Sequence, residues 1–519
     1  MPKQLDANFS EVLLLPPSVE EWIAPQSPAR MVRAFVEGFL KEEAERKEAE
    51  RKKEAERKEA EREETEAQAQ ADDEKVERKD GRPTYARALL LRVWLYGYAR
   101  GIRSSRKLEQ ACREQVEFIW LSGNLQPDHN TLWRFWQKHR ESLGDLFRHS
   151  VNVAARLKMV GFVLQAVDGT KIQAACSGRR KWDEASLRKL LSRLDEVVEE
   201  KEKQIEASGD QEEDMGLPEE LKGMDAATLR EKVAEALKIV ESGQSRHVHP
   251  LEPEARRMQC DGRNRFGYNA QAVVDAQAQV IVAAEVTSEE NDTRQLCPML
   301  EEAQSVTGKT VATLADGGYG TGEQLEAAHD KGFEVLAPIN SDKATDESGQ
   351  LKPYHTSQFR HDAETNEVIC PQGQRLRFVR ERTRRGVPVQ EYRGTAGVCR
   401  ACPAFNVCTK DIRGRVVQRW PWTPHIETHR EKMSEAVNRA VYQLRSEIVE
   451  PVFGWIKEAW RFRRWSFRGL EKVKAQWLMV CTAANLRAFT RQRGNRTPLI
   501  RIPASIASPA APAAAPASA

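Results

Sequence analysis

Two short apolar runs constrain this chain more than any other feature. VLQAVDGTKI (163–172) and VATLADGGYG (311–320) each crowd apolar side chains into a few residues and then meet an Asp-Gly pair, at Asp168–Gly169 and Asp316–Gly317. Such runs read as strands buried on both faces. On this reading each acid stands where a buried strand exits and a glycine turns, so it is held rigidly beside solvent. Two such acids, joined by one from a helix, suit a pair of metal ions about 3.5–4 Å apart that bind the attacking and leaving oxygens of an in-line displacement. Without metal, three close carboxylates would repel one another and raise at least one pKa.

The helical candidate is VYQLRSEIVEPVFGWIKEAWRFRRWSFRGLEKV (441–473). Glu447 and Glu450 are its acids before Lys457, while Arg445, Lys457, Arg461, Arg463, Arg464 and Arg468 surround or follow them. Phosphodiester chemistry explains that pattern, because cations hold phosphates, aromatic faces stack on bases and a carboxylate binds the activating metal. The plainer alternative is an amphipathic basic helix with Trp455, Trp460 and Trp465 in its core. Lys171 and Tyr319 adjoin the two Asp residues and are expected to contact the reacting strand.

Taken together these residues resemble the insertion-sequence transposases of the DDE class, whose catalytic core is RNase H-like. The resemblance covers about residues 10 to 493. It rests on VDGTK around Asp168, on GYNAQAVVD (267–275) followed by VTSEENDTRQLCPML, on ADGGY around Asp316, and on the series Tyr442, Arg445, Glu450, Lys457. That series marks one large branch of these enzymes. It implies that Asp168, Asp316 and Glu450 are catalytic and bind two Mg2+ (or Mn2+) ions, and that Tyr442, Arg445 and Lys457, with Arg461 and Arg464, contact DNA. Arg445 lies one residue further from Glu450 than the usual pattern places it, which leaves Glu447 open as the third acid; EPVFG and the spacing to Lys457 favour Glu450. The implied partners are double-stranded DNA, as element inverted repeats and as target, and further copies of the chain in a homodimer or higher oligomer. The alternatives are a nuclease of the same fold and a catalytically inactive DNA-binding or scaffold protein.

Pro451 adds an expectation of its own. Proline cannot donate to a helical ladder and biases the preceding residue away from the α region, so a break is expected within Ile448 to Val452, with Glu450 at a helix N-terminus. Seven residues advance about 700° at 3.6 per turn, which leaves Glu450 and Lys457 roughly on one side.

The expected fold is α/β: an RNase H-like mixed sheet with flanking helices, an N-terminal all-α domain, a helical-hairpin insertion and a Cys-rich insertion. A helical start occupies 1–40. The stretch 41–80 repeats KEAERK-like units with Glu42–Arg46, Glu43–Lys47, Glu48–Lys52 and Glu54–Lys58 at i,i+4, each adding roughly 0.2–0.5 kcal/mol to a helix. With Ala as nearly its only apolar residue it has no coiled-coil seam and reads as a solvated spacer. Residues 81–156 carry apolar helices with Arg100, Arg103, Arg106 and Lys107 at one turn, and Asp128 or Asn130 as the cap of a later helix. Two short helices and a basic turn suit a helix-turn-helix, or a plain bundle with ordinary surface arginines; the resemblance favours DNA recognition. The core occupies 157–345, interrupted at 179–262 by two helices with stripes Leu187, Leu190, Leu194, Val197 and Leu229, Val233, Leu237, Val240, a hairpin that serves dimerisation or braces the core. YNAQAVVDA and QVIVAAEVT read as an antiparallel hairpin, followed by helix, strand, helix and the strand FEVLAP. The core resumes over 421–494 with the Glu450 helix, and the Ala, Pro and Ser-rich tail 495–519 cannot build a core.

The basic insertion 346–420 holds Cys370, Cys399, Cys402 and Cys408. Cys370-Pro371-Gln372-Gly373 reads as a knuckle-like turn and Cys399 and Cys402 form a CxxC. Four thiolates at tetrahedral positions would bind structural Zn2+, with His355 or His361 able to replace one. Arg375, Arg377, Arg380, Arg382, Arg384 and Arg385 share the insertion and are candidates for DNA contact. The 81 basic residues nearly cancel the 78 acidic ones, so local charge, not net charge, carries the argument. No run approaches the roughly 20 apolar residues of a membrane span and the N-terminus lacks the apolar stretch of a signal peptide, so the expected location is the cytoplasm, in association with the nucleoid.

Overall fold

The computed structural model describes residues 18–63, 84–176, 181–205, 221, 225–340 and 353–492. They fall into two compact units, divided after Ser150 and after Trp477. The tail 495–519, most of the loop between the insertion helices and the spacer beyond Glu63 lie outside the described residues.

The first unit is helical, with α1 (Pro28–Glu63), α2 (Arg87–Ala99), α3 (Ser105–Glu114), α4 (Val116–Leu121), α5 (His129–His139), part of α6 (Leu143–Arg156) and the end of the last helix of the chain. The α1 helix runs unbroken through Lys41, so no boundary separates the helical start from the charged stretch. Its apolar residues Val32, Phe35, Val36 and Phe39 are buried. Of the expected pairs, Glu43–Lys47 and Glu48–Lys52 form at 2.9 Å, whereas Arg46 reaches Asp145 at 2.7 Å and Glu42 reaches His149 at 2.8 Å. Long-range partners won because an exposed i,i+4 pair is worth little. Leu89 to Tyr98 are all buried except Arg92, and Trp94 packs on Trp136 with centroids 5.0 Å apart. Asp128, not Asn130, caps α5, its carboxylate accepting from the Thr131 N–H at 2.8 Å.

The second unit is built on a mixed sheet. Its elements are β1 (Leu164–Gln173), α7 (Glu184–Ile205), α8 (Ala226–Glu241), β2 (Arg256–Cys260), β3 (Arg263–Asp275), β4 (Ile281–Thr287), α9 (Leu296–Thr307), β5 (Ala312–Ala315), α10 (Gly322–Asp330) and β6 (Val335–Leu336). The strand order is β2-β3-β1-β5-β6, with β4 also on β3. The β1–β3 pairing is antiparallel and the β1–β5 and β5–β6 pairings are parallel, which with the flanking helices is the RNase H-like arrangement. From Phe266 to Asp275 every residue of β3 is buried. Gly267 pairs with Gln173 on one side and Arg256 on the other, so β2, expected as part of the insertion, instead extends the core sheet. In the insertion, Leu187, Leu190 and Leu194 of α7 and Leu229, Val233 and Leu237 of α8 are buried, and the two helices pack together.

A second, all-antiparallel sheet follows: β7 (Arg360–Asp362), β8 (Glu367–Ile369), β9 (Arg375–Arg384), β10 (Val387–Gly394), the short α11 (Ala396–Ala401) and β11 (Val416–Arg419), in the order β11-β10-β9-β8-β7. The chain then returns to the core through α12 (Thr423–Ser434), α13 (Ala436–Gly454), a π-helical turn (Trp455–Ala459) and α14 (Leu470–Gln492).

Two local expectations are corrected here. Asp168 does not end its strand: β1 continues to Gln173, in register with β3 from Gln165↔Asp275 to Gln173↔Gly267. It ends only the parallel ladder to β5. Nor does the chain break at Pro451, which lies inside α13. A proline there orphans the carbonyl four residues back, that of Glu447, and the Gln279 Nε2 donates to that oxygen at 2.7 Å. The helix survives because a side chain far away in sequence replaces the missing donor.

Candidate active site

The β1–β5 register builds the site. Leu164↔Ala312 through Val167↔Ala315 pair in parallel, so Asp168 and Asp316, each one residue on, emerge side by side at the carboxyl end of that ladder. Ala270 and Ala272 of β3 alternate onto the face of Asp168, and α13 packs across this region of β1 and β3. From α13, the Arg445 guanidinium donates to Asp168 Oδ2 at 3.1 Å and approaches Glu450 Oε1 at 3.6 Å. The helix thus brings Glu450 and both strand acids around one cation. Tyr442, half-buried and one turn before Arg445, bonds to Arg445 and feels the charges of Asp316 and Asp168. Glu447 and Glu450 are both exposed; Arg445 approaches Glu450, whereas the Glu447 backbone carbonyl accepts from Gln279.

The electrostatics follow from burial. Asp168 is pushed up to about 6, chiefly by desolvation and further by Asp316, against the pull of Arg445 and of the Gly169 N–H, which donates to Asp168 Oδ1 at 2.8 Å. For Arg445, burial disfavours the charge, but Asp168 more than offsets this and holds its pKa above the ordinary value. Such a pair of acids gains from a further cation. The donors are carboxylate oxygens, the hard ligands that suit Mg2+ or Mn2+ and not a thiolate-seeking ion. In donor chemistry these residues suit a divalent metal, which would draw together carboxylate oxygens not all within 4.8 Å of one another, since among the described residues only His329, Asp330 and His425 meet that spacing.

Glycines sit where side chains would intrude. A Cβ on Gly318 would lie 2.7 Å from Asp316 Oδ1, the atom that accepts its own N–H at 2.6 Å. A Cβ on Gly169 would lie 2.8 Å from Asp292 Oδ1 and 2.9 Å from Asn269 Oδ1. Gly169 thus serves a close approach within a strand, not a turn.

Asp292 was not anticipated. It accepts from Lys171 Nζ at 2.9 Å, from Asn269 Nδ2 at 2.6 Å and from Gln271 Nε2 at 2.7 Å; the Tyr319 hydroxyl closes the network by donating to Gln271 Oε1. This network ties the loop after Asp316 to β3 and braces the site from beneath. Its signal in the sequence was the polar pair Asn269 and Gln271, two residues apart in an otherwise apolar strand, which alternation puts on one face.

Several expected DNA contacts are redirected by these partners. Lys171, three residues from Asp168, alternates to the opposite face of β1 and is ion-paired to Asp292. Tyr319 is fully buried, so its role is support, not contact with a strand. Arg464 is spent on the chain end beyond β1, donating to the carbonyls of Ala174 at 3.2 Å, Ala175 at 2.5 Å and Cys176 at 3.2 Å. Lys457, in the π-helical turn instead of a second α turn, reaches Asp261 at 3.2 Å and the Lys171 carbonyl at 3.4 Å. Arg461 is exposed, with a left-handed φ of 51°. Of the tryptophans, Trp460 and Trp465 are core and Trp455 is exposed. Trp465 lies in a cluster with Phe462 and Trp477, and the Trp477 indole donates to the Gln271 carbonyl at 2.9 Å.

Among the described residues no helix is long and apolar enough to cross a membrane. A family model described as a transposase DDE domain matches residues 237–486, and a second, described as a transposase domain, matches residues 51–138. The first span takes in Asp316 and Glu450 and begins after Asp168. No curated protein matches the chain.

Proposed function

The chain belongs to the insertion-sequence transposases of the DDE class, and from that premise we propose that it binds the terminal inverted repeats of a mobile element and performs cut-and-paste transposition, cleaving DNA and joining the freed ends to a target. The observation that carries this reading is the meeting of Asp168 and Asp316 at one end of a parallel ladder, with Arg445 spanning Asp168 and Glu450.

In this reading Asp168, Asp316 and Glu450 hold two Mg2+ (or Mn2+) ions, which when bound lower the pKa of the attacking oxygen and offset charge at phosphorus. Arg445 keeps Asp168 charged and positions Glu450 toward it. The Asp292 network fixes the loop that carries Asp316. Water attacks the phosphodiester at the element end and leaves a 3′-hydroxyl; that hydroxyl attacks a target phosphodiester and displaces a new 3′-oxygen, so one bond forms for each that breaks. The helical unit with Arg100, Arg103, Arg106 and Lys107 recognises the inverted repeats. Exposed Arg461 contacts phosphate. The enzyme works in the cytoplasm, on nucleoid DNA, as a dimer or higher oligomer, because two ends must be joined to one target.

The test is Mg2+-dependent cleavage and joining of a DNA that carries the flanking ends, with wild type, Glu450→Gln and Glu447→Gln compared. Glu450→Gln is expected to lower both steps by about a thousandfold or more, equivalent to roughly 4 kcal/mol, with end binding kept, while Glu447→Gln stays within a few-fold. A wild type that cuts but never joins is a nuclease. One that binds but never cuts is a DNA-binding scaffold.

A further inference from the structure

The curled sheet is too lightly packed for its size. It spans residues 353–420, yet its apolar cluster consists of Phe359, Val368, Leu376, Tyr392 and Val417, with Tyr354, Cys370 and Cys408 packed partly buried against them, and only Val389 and Ala404 are buried apolar side chains besides. Along β9 only Leu376 is buried among ten residues. Modules of this size with so little apolar burial usually need a disulfide, a metal or a partner to hold them. All four cysteines here are free thiols.

Those thiols surround one cavity of about 330 Å³, with Arg415 also on its wall. Cys370 sits in a tight turn: the Gly373 N–H donates to the Cys370 carbonyl at 2.8 Å, and the Gln374 N–H donates to Cys370 Sγ at 3.3 Å. Gly373, at φ 75°, supplies the left-handed residue that this turn requires. On the other side, Cys399 lies within α11, the C-capping Cys402 returns its N–H to the Cys399 carbonyl at 3.3 Å, and Cys408 follows six residues later. A Cβ on Gly394 would lie 2.7 Å from Cys399 Sγ, so β10 leaves room for that sulfur alone. Arg415, whose Nη1 donates to the Cys408 carbonyl at 2.9 Å, brings a positive charge to the wall of the cavity.

We propose that Cys370, Cys399, Cys402 and Cys408 bind one Zn2+, a structural ion that joins the β8–β9 turn to the α11 segment and does in the curled sheet what a larger apolar core would otherwise do. Binding releases the thiol protons and leaves four thiolates on the ion, a net charge of −2 that Arg415 helps to offset. Among the described residues only His329, Asp330 and His425 bring three potential ligand atoms within 4.8 Å of one another. No three of the four sulfurs therefore lie within that distance of one another, against the roughly 3.8 Å expected between thiolates of a tetrahedron with Zn–S near 2.3 Å, and binding draws them closer. The ligand set of four soft thiolates and no open position marks a closed, non-catalytic site.

The experiment measures metal in the full-length chain. Zinc is counted by elemental analysis of wild type, Cys399→Ser, Cys402→Ser, Cys370→His and His425→Ala, and the wild type is exchanged with Co2+. One Zn2+ per chain is expected, lost in both serine variants, kept in Cys370→His because imidazole is also a zinc ligand, and kept in His425→Ala. Cobalt should give the intense visible absorption of tetrahedral thiolate coordination. If the serine variants prove insoluble, the cobalt spectrum and Cys370→His decide. The proposal is overturned if the wild type neither carries zinc nor takes up Co2+, if the serine variants keep their zinc, or if His425→Ala loses it, which would assign the ion to the His329–His425 cluster.

Discussion

The six-stranded sheet that carries Asp168 and the five-stranded sheet that carries the cysteines differ by a single strand, yet they hold their polar chemistry in opposite ways. In the first, β3 is buried from Phe266 to Asp275 and helices cover the sheet, so apolar packing is strong enough to keep Asp275 out of water and Asp168 and Asp292 largely so, each beside fixed partners. In the second, the apolar cluster has five buried side chains, to which Val389 and Ala404 add two small buried ones, and apart from Glu391, buried beside Arg380, Arg382 and Arg393, its charges lie outside as pairs such as Arg375 with Glu367 at 2.9 Å. A thick core can carry the desolvation of carboxylates and use it to shift their pKa. A thin one has to be cross-linked. The metal chemistry inferred for each sheet follows from that: carboxylate oxygen donors in the thick sheet, a closed set of thiolates in the thin one.

The comparison breaks most visibly at Asp316. Asp316→Asn should abolish cleavage by about three orders of magnitude or more, roughly 4 kcal/mol, while thermal melting stays unchanged or rises slightly, because the substitution removes a like charge beside Asp168. A marked fall in melting temperature would show that the acid is structural. Next in size is Asp292→Ala, which strands Lys171, Asn269 and Gln271 in a mostly buried network; a loss of about 3–5 kcal/mol in denaturant unfolding is expected. A loss under 1 kcal/mol would mean that the network is not what stiffens the thick sheet.

A third prediction concerns pH. His249 is fully buried against Trp182 and Phe266, and burial, helped by Arg468, lowers its pKa from 6.5 to about 4. Because the folded pKa lies below the unfolded one, the unfolded chain takes up the proton first as pH falls. This histidine therefore costs nothing above pH 6.5, and stability is lost progressively between about pH 6.5 and 4, by about 3 kcal/mol at most. His249→Gln should flatten that part of the stability profile, and an unchanged profile would refute the assignment. The smallest effect is expected at Gln279→Ala, which removes the donor to the Glu447 carbonyl at a cost of about 1 kcal/mol. Hydrogen exchange should then quicken around residues 448–454; if it does not, another group carries the helix through Pro451.

Much of the thick sheet was legible beforehand. Its strands are continuous apolar runs, its β3–β4 hairpin alternates as hairpins do, and Asp168 and Asp316 each close such a run. The third acid was ambiguous by three residues because both Glu447 and Glu450 satisfy a pattern of spacing; which one faces the strands depends on how α13 lies over β1. The helix break expected at Pro451 did not occur, since backbone rules weigh local donors and the compensating donor is 168 residues away. Lys171, Arg464 and Tyr319 illustrate the same limit: type and position are local, but whether a charge or hydroxyl is free depends on what meets it.

By itself, then, the chain of residues determined which segments are buried strands and where carboxylates and thiols interrupt them. Only the tertiary structure decided that Asp168 and Asp316 are neighbours, that Arg445 spans Asp168 and Glu450, that Asp292 absorbs the charge of Lys171, and that α13 runs on through a proline. The physical reason is that strand character and turn chemistry arise within a few residues, whereas burial, charge pairing and the supply of a missing hydrogen bond are properties of groups brought together by the whole fold.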